Sequence, residues 1–279
     1  MLGMGATLTG IDFRDVVREP DAVTLGSAIQ IVAEPITSFL YLRFLGVHDG
    51  VAVGISLIAA ITGGTVSNIF TFFARGNSAL SISITALTTL VCLVSTPLIL
   101  SLLISQDLPP DFAMPRAQIV REIALTLLLP LATGMLYLYL YPRSAPLVSK
   151  WCIRGSLFGI LLIVLGSGLA GRLDARSFGV ANILTVTLFA IVIAAMGYLV
   201  PRIMRLSRPD ATAIEFEVIV RNINLGVLIK ASIFPAAATE SARLGDMVFF
   251  SLLLYGVLQM LMGAILIWFE RSSHKPRDS

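Results

Sequence analysis

Long apolar runs alternate with short polar breaks along nearly the whole chain. They predict helices over 22–45, 51–75, 78–104, 117–141, 151–169, 178–200, 211–234 and 245–269. Each run is close to the ~20 residues needed to cross ~30 Å of hydrocarbon. Two of the runs are interrupted. The second holds Gly63-Gly64, then Thr65, Ser67 and Asn68, at mid-membrane depth. The seventh holds "EFEVIVRNINLG", Glu215 to Gly226, with two carboxylates, an arginine and two asparagines. Each interrupted run is the middle of three, one trio over 22–104 and the other over 178–269. An odd-numbered unit repeated along a chain inserts in opposite orientations. Broken helices at corresponding positions of two inverted halves point to a transporter binding site. Unwound backbone at that depth is tolerated only where protein or a water cavity satisfies it. Half-helix ends then offer carbonyls to cations and N–H groups to anions.

Composition fixes the class. Hydrophobic residues make up 56% of the chain and charged residues 13%, against about 25% charged in a soluble domain. This is the make-up of an all-α, multi-pass membrane protein in contact with a lipid bilayer. Basic residues then set its orientation. Arg14, Arg18, Arg75, Arg143, Lys150, Arg154, Arg202, Arg205, Arg208, Arg271, Lys275 and Arg277 fall on one side. Arg43, Arg116, Arg121, Arg172, Arg176 and Arg243 fall on the other. The heavier side is expected to be cytoplasmic, with the C-terminus inside a cell (inner) membrane. The net charge of +3 sits in loops, so it reads as topology, with no nucleic-acid partner. Cys92 and Cys152 lie far apart without metal-ligand spacing, and His48 and His274 fall in a loop and the tail. No HExxH-type site or nucleophile–base pair follows from them, and no enzyme is expected. "MLGMGATLTG" is apolar but too short to span, and it lacks the basic region of a signal peptide.

Glu217 is the leading ion-ligand candidate, because a carboxylate at membrane depth is costly and usually functional. Hard cations such as sodium take oxygen ligands. Ser67, Asn68, Ser81 and Thr85 can supply them, and Ser81 and Thr85, four apart, share a helix face. Singly, each hydroxyl reads better as a helix–helix or i−4 hydrogen bond. Together with Glu217 and two broken helices they read as an ion site.

The strings "MLGMGATLTGIDFRDVV", "IQIVAEP", "GGTVSNIFTFFARGNSALSISITALTTL" and "EVIVRNINLG" resemble the bile acid:sodium symporter family over nearly the whole chain. The resemblance implies an inverted-repeat secondary transporter with two discontinuous, crossing helices. The family has ten helices in two five-helix repeats, divided into a core and a panel domain. Two sodium ions near the crossing drive uptake of a small organic anion. Transferred residue by residue, the first sodium site falls on Ser67, Asn68, Ser81, Thr85 and Glu217. The second falls on Gln30, Glu217, the backbone of Val218 and Val220, and position 221. Asn68, Asn222 and Asn224 are expected at the crossing, near substrate. On the same basis the segments are 1–21, the remnant of a panel helix and a cytoplasmic loop; 22–104 and 178–269, the two core halves; 117–169, panel helices; and 270–279, a cytoplasmic tail. The opening residues match the end of the family's second helix, so the first helix and most of the second are expected to be missing.

The chain departs from the family at the second site, where Arg221 replaces the usual Gln. Glu34, four residues after Gln30, stands where the family is usually apolar. Arginine stays charged in any protein environment, so Arg221 is expected to pair with Glu34 or Glu217 in place of the second sodium; otherwise it snorkels to a cavity or headgroups. Lys230 is read as reaching the outer interface, Glu215 as structural near the inner one, and Pro35, Pro97, Pro130 and Pro235 as kinks or ends of helices. The leading reading is sodium-coupled import of an organic anion by alternating access. The alternatives are a sodium-independent or single-sodium member, or a truncated, non-transporting membrane paralogue.

Overall fold

The structure, a computed structural model, describes residues 1–9, 20–47, 49–104, 115–169, 175–234 and 242–273. Arg14, Arg18, His48, Arg172, Pro235, His274, Lys275 and Arg277 lie outside these residues. Among the described residues the elements are helices throughout, with one isolated β-bridge between Gly63 and Arg221. After a short helix α1 (Leu2–Gly5) come α2 (Pro20–Leu45), α3 (Asp49–Ala60), α4 (Thr65–Phe73) and α5 (Ser78–Leu103). They are followed by α6 (Arg116–Leu140), α7 (Ala145–Leu169), α8 (Val180–Ile203), α9 (Arg208–Ile219), α10 (Ile223–Ile233) and α11 (Ala242–Ser273). Among the described residues α2, α5, α6, α8 and Arg243–Ser272 of α11 are long and apolar enough to cross a membrane.

The two interrupted runs form the pairs α3/α4 and α9/α10, each broken by a few extended residues. The first helix of each pair occupies the centre. Every residue of α3 from Gly50 to Ala60 is buried, as is every residue of α9 from Ala211 to Ile219. A helix such as α3, apolar nearly all round, belongs in an interior. Small residues let α3 approach its neighbour: a Cβ on Gly54 would sit 2.6 Å from Ser251 Cβ of α11, the close packing typical of membrane helices. The outer helices present apolar side chains outward, including Leu125, Leu129, Leu184, Ile191, Leu261 and Trp268, each more than half exposed. Such a surface suits hydrocarbon, not water.

Proline ends neither α2 nor α6. A π-helical turn, Ile29–Ala33 or Ala124–Leu128, finishes two residues before Pro35 or Pro130, and the helix continues. Proline lacks an N–H and crowds the carbonyl four residues back, and widening the preceding turn accommodates both defects. Pro97 likewise sits inside α5. At one end of the bundle the turns before α5 and α9 are joined. Asn77 N donates to Pro209 O at 2.9 Å, and Asn77 Nδ2 donates to Asp210 Oδ1 at 2.8 Å. Beside them Arg202 of α8 pairs with Glu215 of α9 and Glu270 of α11, both at 2.8 Å. Glu215 is thus buried and compensated. Lys230 lies over the Phe249 ring, 5.9 Å from its centre.

Candidate functional site

Each broken helix leaves backbone groups that need partners. At the C-terminal end of α3, Ala60 O accepts from Thr96 Oγ1 at 2.8 Å, Ile61 O from Arg221 Nη1 at 3.2 Å, and Thr62 O from Asn222 N at 2.9 Å. The last of these bonds joins the two breaks to each other. At the end of α9, Ile219 O accepts from Tyr255 OH at 3.0 Å. Gln259 holds the Arg221 backbone from both sides: its Oε1 accepts from Arg221 N at 2.7 Å and its Nε2 donates to Arg221 O at 3.2 Å. Thr96, Tyr255 and Gln259 formed no part of the sequence expectation. Gln259 carried a usable signal, a lone amide deep in the apolar run 245–269.

The Glu217 carboxylate, fully buried on α9, gathers hydroxyls from α4 and α5. Ser67 Oγ donates to Oε1 at 2.6 Å, Ser81 Oγ to Oε1 at 2.7 Å, and Thr85 Oγ1 reaches Oε1 at 2.8 Å and Oε2 at 2.9 Å. Asn68 also turns its amide toward this group. In the orientation that satisfies both amide ends, its Nδ2 donates to Glu217 Oε1 at 3.1 Å. The structure therefore brings Ser67, Asn68, Ser81, Thr85 and Glu217 into one cluster. The cluster is acceptor-rich, since the Ser67 and Thr85 hydroxyls also lie on Gly64 O at 2.6 Å and Ser81 O at 3.0 Å. Among the described residues no three His, Cys, Asp or Glu side chains stand together. A single carboxylate with neutral oxygens is the donor set of a hard, low-charge cation. Gly63 is needed for the approach, because a Cβ there would lie 2.7 Å from Glu217 Oε2.

The residues expected around a second ion are arranged differently. Arg221 is 2% exposed and does not snorkel. Its Nη2 pairs with Glu34 Oε2, and its Nη1 donates to Gln30 Oε1 at 3.1 Å. Gln30 Oε1 also accepts from Gly63 N at 3.1 Å. Val218 and Val220 are buried, Val218 against Gly197 of α8.

A cavity of about 580 Å³ opens beside the breaks. Gly64, Thr65, Val66, Asn222 and Asn224 line one wall, and residues of α1, α6 and α7 such as Met4, Thr126 and Ser156 line the opposite one. The N-termini of α4 and α10 both meet it. The cap of α4 is Gly64, without a side-chain bond, while Asn222 caps α10 by accepting from Leu225 N at 3.3 Å. Helix N-termini favour negative charge. Asn224 stands apart from the Glu217 cluster and donates to Ser156 Oγ on α7 at 3.2 Å.

Residues 1–170 match the Sodium Bile acid symporter family. The chain is 30% identical over 243 residues to a protein of Bacillus subtilis named as an uncharacterized sodium-dependent transporter, covering 87% of this chain and 74% of that protein. It is 30% identical over 248 residues to a probable chloroplastic sodium/metabolite cotransporter of Arabidopsis thaliana, covering 87% and 60%. To the human ileal sodium/bile acid cotransporter it is 25% identical over 272 residues, covering 96% and 75%. The chain thus spans about three quarters of the Bacillus and human proteins and three fifths of the plastid one.

Proposed function

The chain belongs to the sodium bile acid symporter family, a family of membrane transporters and not of enzymes, and on that premise we propose that it imports a small organic anion by coupling it to sodium. The observation that carries this reading is the Glu217 cluster. It draws oxygens from α4, α5 and α9, so an ion bound there ties the two broken helices together. Sodium is held by Ser67, Asn68, Ser81, Thr85 and Glu217. Asn68 presents Nδ2 to the bare carboxylate and turns Oδ1 toward the ion when the site fills. The anion sits in the cavity at the N-termini of α4 and α10, against Asn222 and Asn224. The trios 22–104 and 178–269 act as a core that rocks against 117–169, exposing the cavity to each side in turn. The C-terminus lies in the cytoplasm.

Proteoliposomes test this directly. An inward sodium gradient should drive uptake of at least one member of a panel of radiolabelled monocarboxylates and a bile acid, and an equal potassium gradient should not. Sodium should also stabilise the purified protein saturably at constant ionic strength. A protein that is indifferent to sodium in both assays is not a sodium-coupled carrier.

The same titration tests the geometry around Gly63. Gly63→Ala pushes a methyl onto Glu217 Oε2, and half-saturating sodium should rise by on the order of tenfold, about 1.4 kcal/mol. An unchanged half-saturation in a normally folded variant would show that the close approach is irrelevant to the ion.

A further inference from the structure

We infer that the Arg221 guanidinium is a tethered internal cation, occupying an oxygen-lined position that a free cation would otherwise hold, so that this protein binds a single sodium ion. The inference rests on the proposed sodium site at Glu217. Around the guanidinium stand a carboxylate from Glu34, the amide oxygen of Gln30 and the main-chain carbonyl of Ile61 at the unwound end of α3. These are the ligand types a hard cation takes at a broken helix. Here they are spent on a charge that cannot dissociate or titrate away.

The charges at the breaks agree with a single ion. Among the described residues the buried acidic and basic side chains are Glu34, Glu215, Glu217, Arg221 and Glu270. Glu215 and Glu270 share Arg202 at one end of the bundle. At the breaks this leaves two carboxylates against one guanidinium, a net charge of −1. An uncompensated charge in such an interior is strongly disfavoured, and one monovalent cation cancels it. A second would add an unmatched positive charge beside Arg221. The arrangement is also fixed in place, because Gln259 grips the Arg221 backbone on both sides. With a monovalent anion as substrate, one sodium and one anion per cycle then transfer no net charge across the membrane.

Equilibrium binding of radioactive sodium to the purified full chain decides the matter. Wild type should bind one sodium per protein with a Hill slope of one. Arg221→Gln leaves the Glu34 carboxylate unmatched, so that variant should bind two, with a slope above one. The double variant Glu34→Gln/Arg221→Gln frees the same Gln30 and Ile61 oxygens without an unmatched carboxylate and should also bind two; it serves if Arg221→Gln alone does not fold. Two sodium ions in wild type, or a count of one in both variants, would overturn the inference and leave the proposed function standing. No bound sodium in wild type would overturn the proposed function itself.

Discussion

Glu217→Gln removes the response to sodium while leaving the fold intact. The variant keeps the volume of the side chain and one acceptor oxygen for the hydroxyls of Ser67, Ser81 and Thr85, which lie 2.6–2.8 Å from Oε1 in the wild type. It loses the only charge in the cluster. A ligand that binds only the folded state stabilises it by about 2.7 kcal/mol at a hundredfold excess over Kd. In a chain of this size that is a Tm rise on the order of 5–10 °C. Wild type should show that rise in sodium relative to potassium, and Glu217→Gln should show none. Sodium-driven uptake should fall to the potassium background. Without sodium the variant should be at least as stable as wild type, because it no longer buries an uncompensated carboxylate. That sign separates loss of an ion site from simple damage. A variant with the wild-type sodium shift and half-saturation would mean that the cluster is an ordinary hydrogen-bond network.

The second large effect concerns the Arg221–Glu34 pair, both partners of which are almost fully buried. Removing one partner of a buried pair costs about 3–5 kcal/mol, because the other charge is left alone in a poor solvent. Glu34→Gln and Arg221→Met should therefore each lower the unfolding midpoint steeply when measured in potassium. The double variant Glu34→Leu/Arg221→Met should recover most of the loss, since apolar replacement of a whole pair is often neutral. Near-neutral single variants would mean that water or another residue already compensates these charges. Sodium should stabilise the Arg221 variant by more than it does wild type and the Glu34 variant by no more than wild type, because only the former exposes an unmatched carboxylate.

The broken helices were legible because their interruptions are local. Gly63-Gly64 and the polar run around Glu217 stand out against sequence that otherwise has no reason to be polar at that depth. Spacing placed Ser81 and Thr85 on one helix face, and only Glu217, the two breaks and the family resemblance made them ion ligands. What could not be read was rotation. Gln259 and Tyr255 lie on α11, and only the packing of α11 against the breaks turns them toward Arg221 and Ile219. Thr96 resembles any other threonine in α5 until it meets Ala60 O. Arg221 had two carboxylates within sequence reach. The choice of Glu34 depends on where α2 passes the break, and hydropathy holds no record of that. The π turns before Pro35 and Pro130 were equally hidden, since the prolines argued for interruption and the wider turns let the helices run on.

The hydrogen bond from Asn222 N to Thr62 O joins residues made at very different times. At ~5–20 residues per second, the 160 residues separating Arg221 from Ile61 take roughly 10–30 s to synthesise. For that interval the first break has entered the bilayer with open carbonyls, and the helix meant to close them does not yet exist. A nascent first half is therefore a poor guest for lipid and a natural client for an insertase or an intramembrane chaperone.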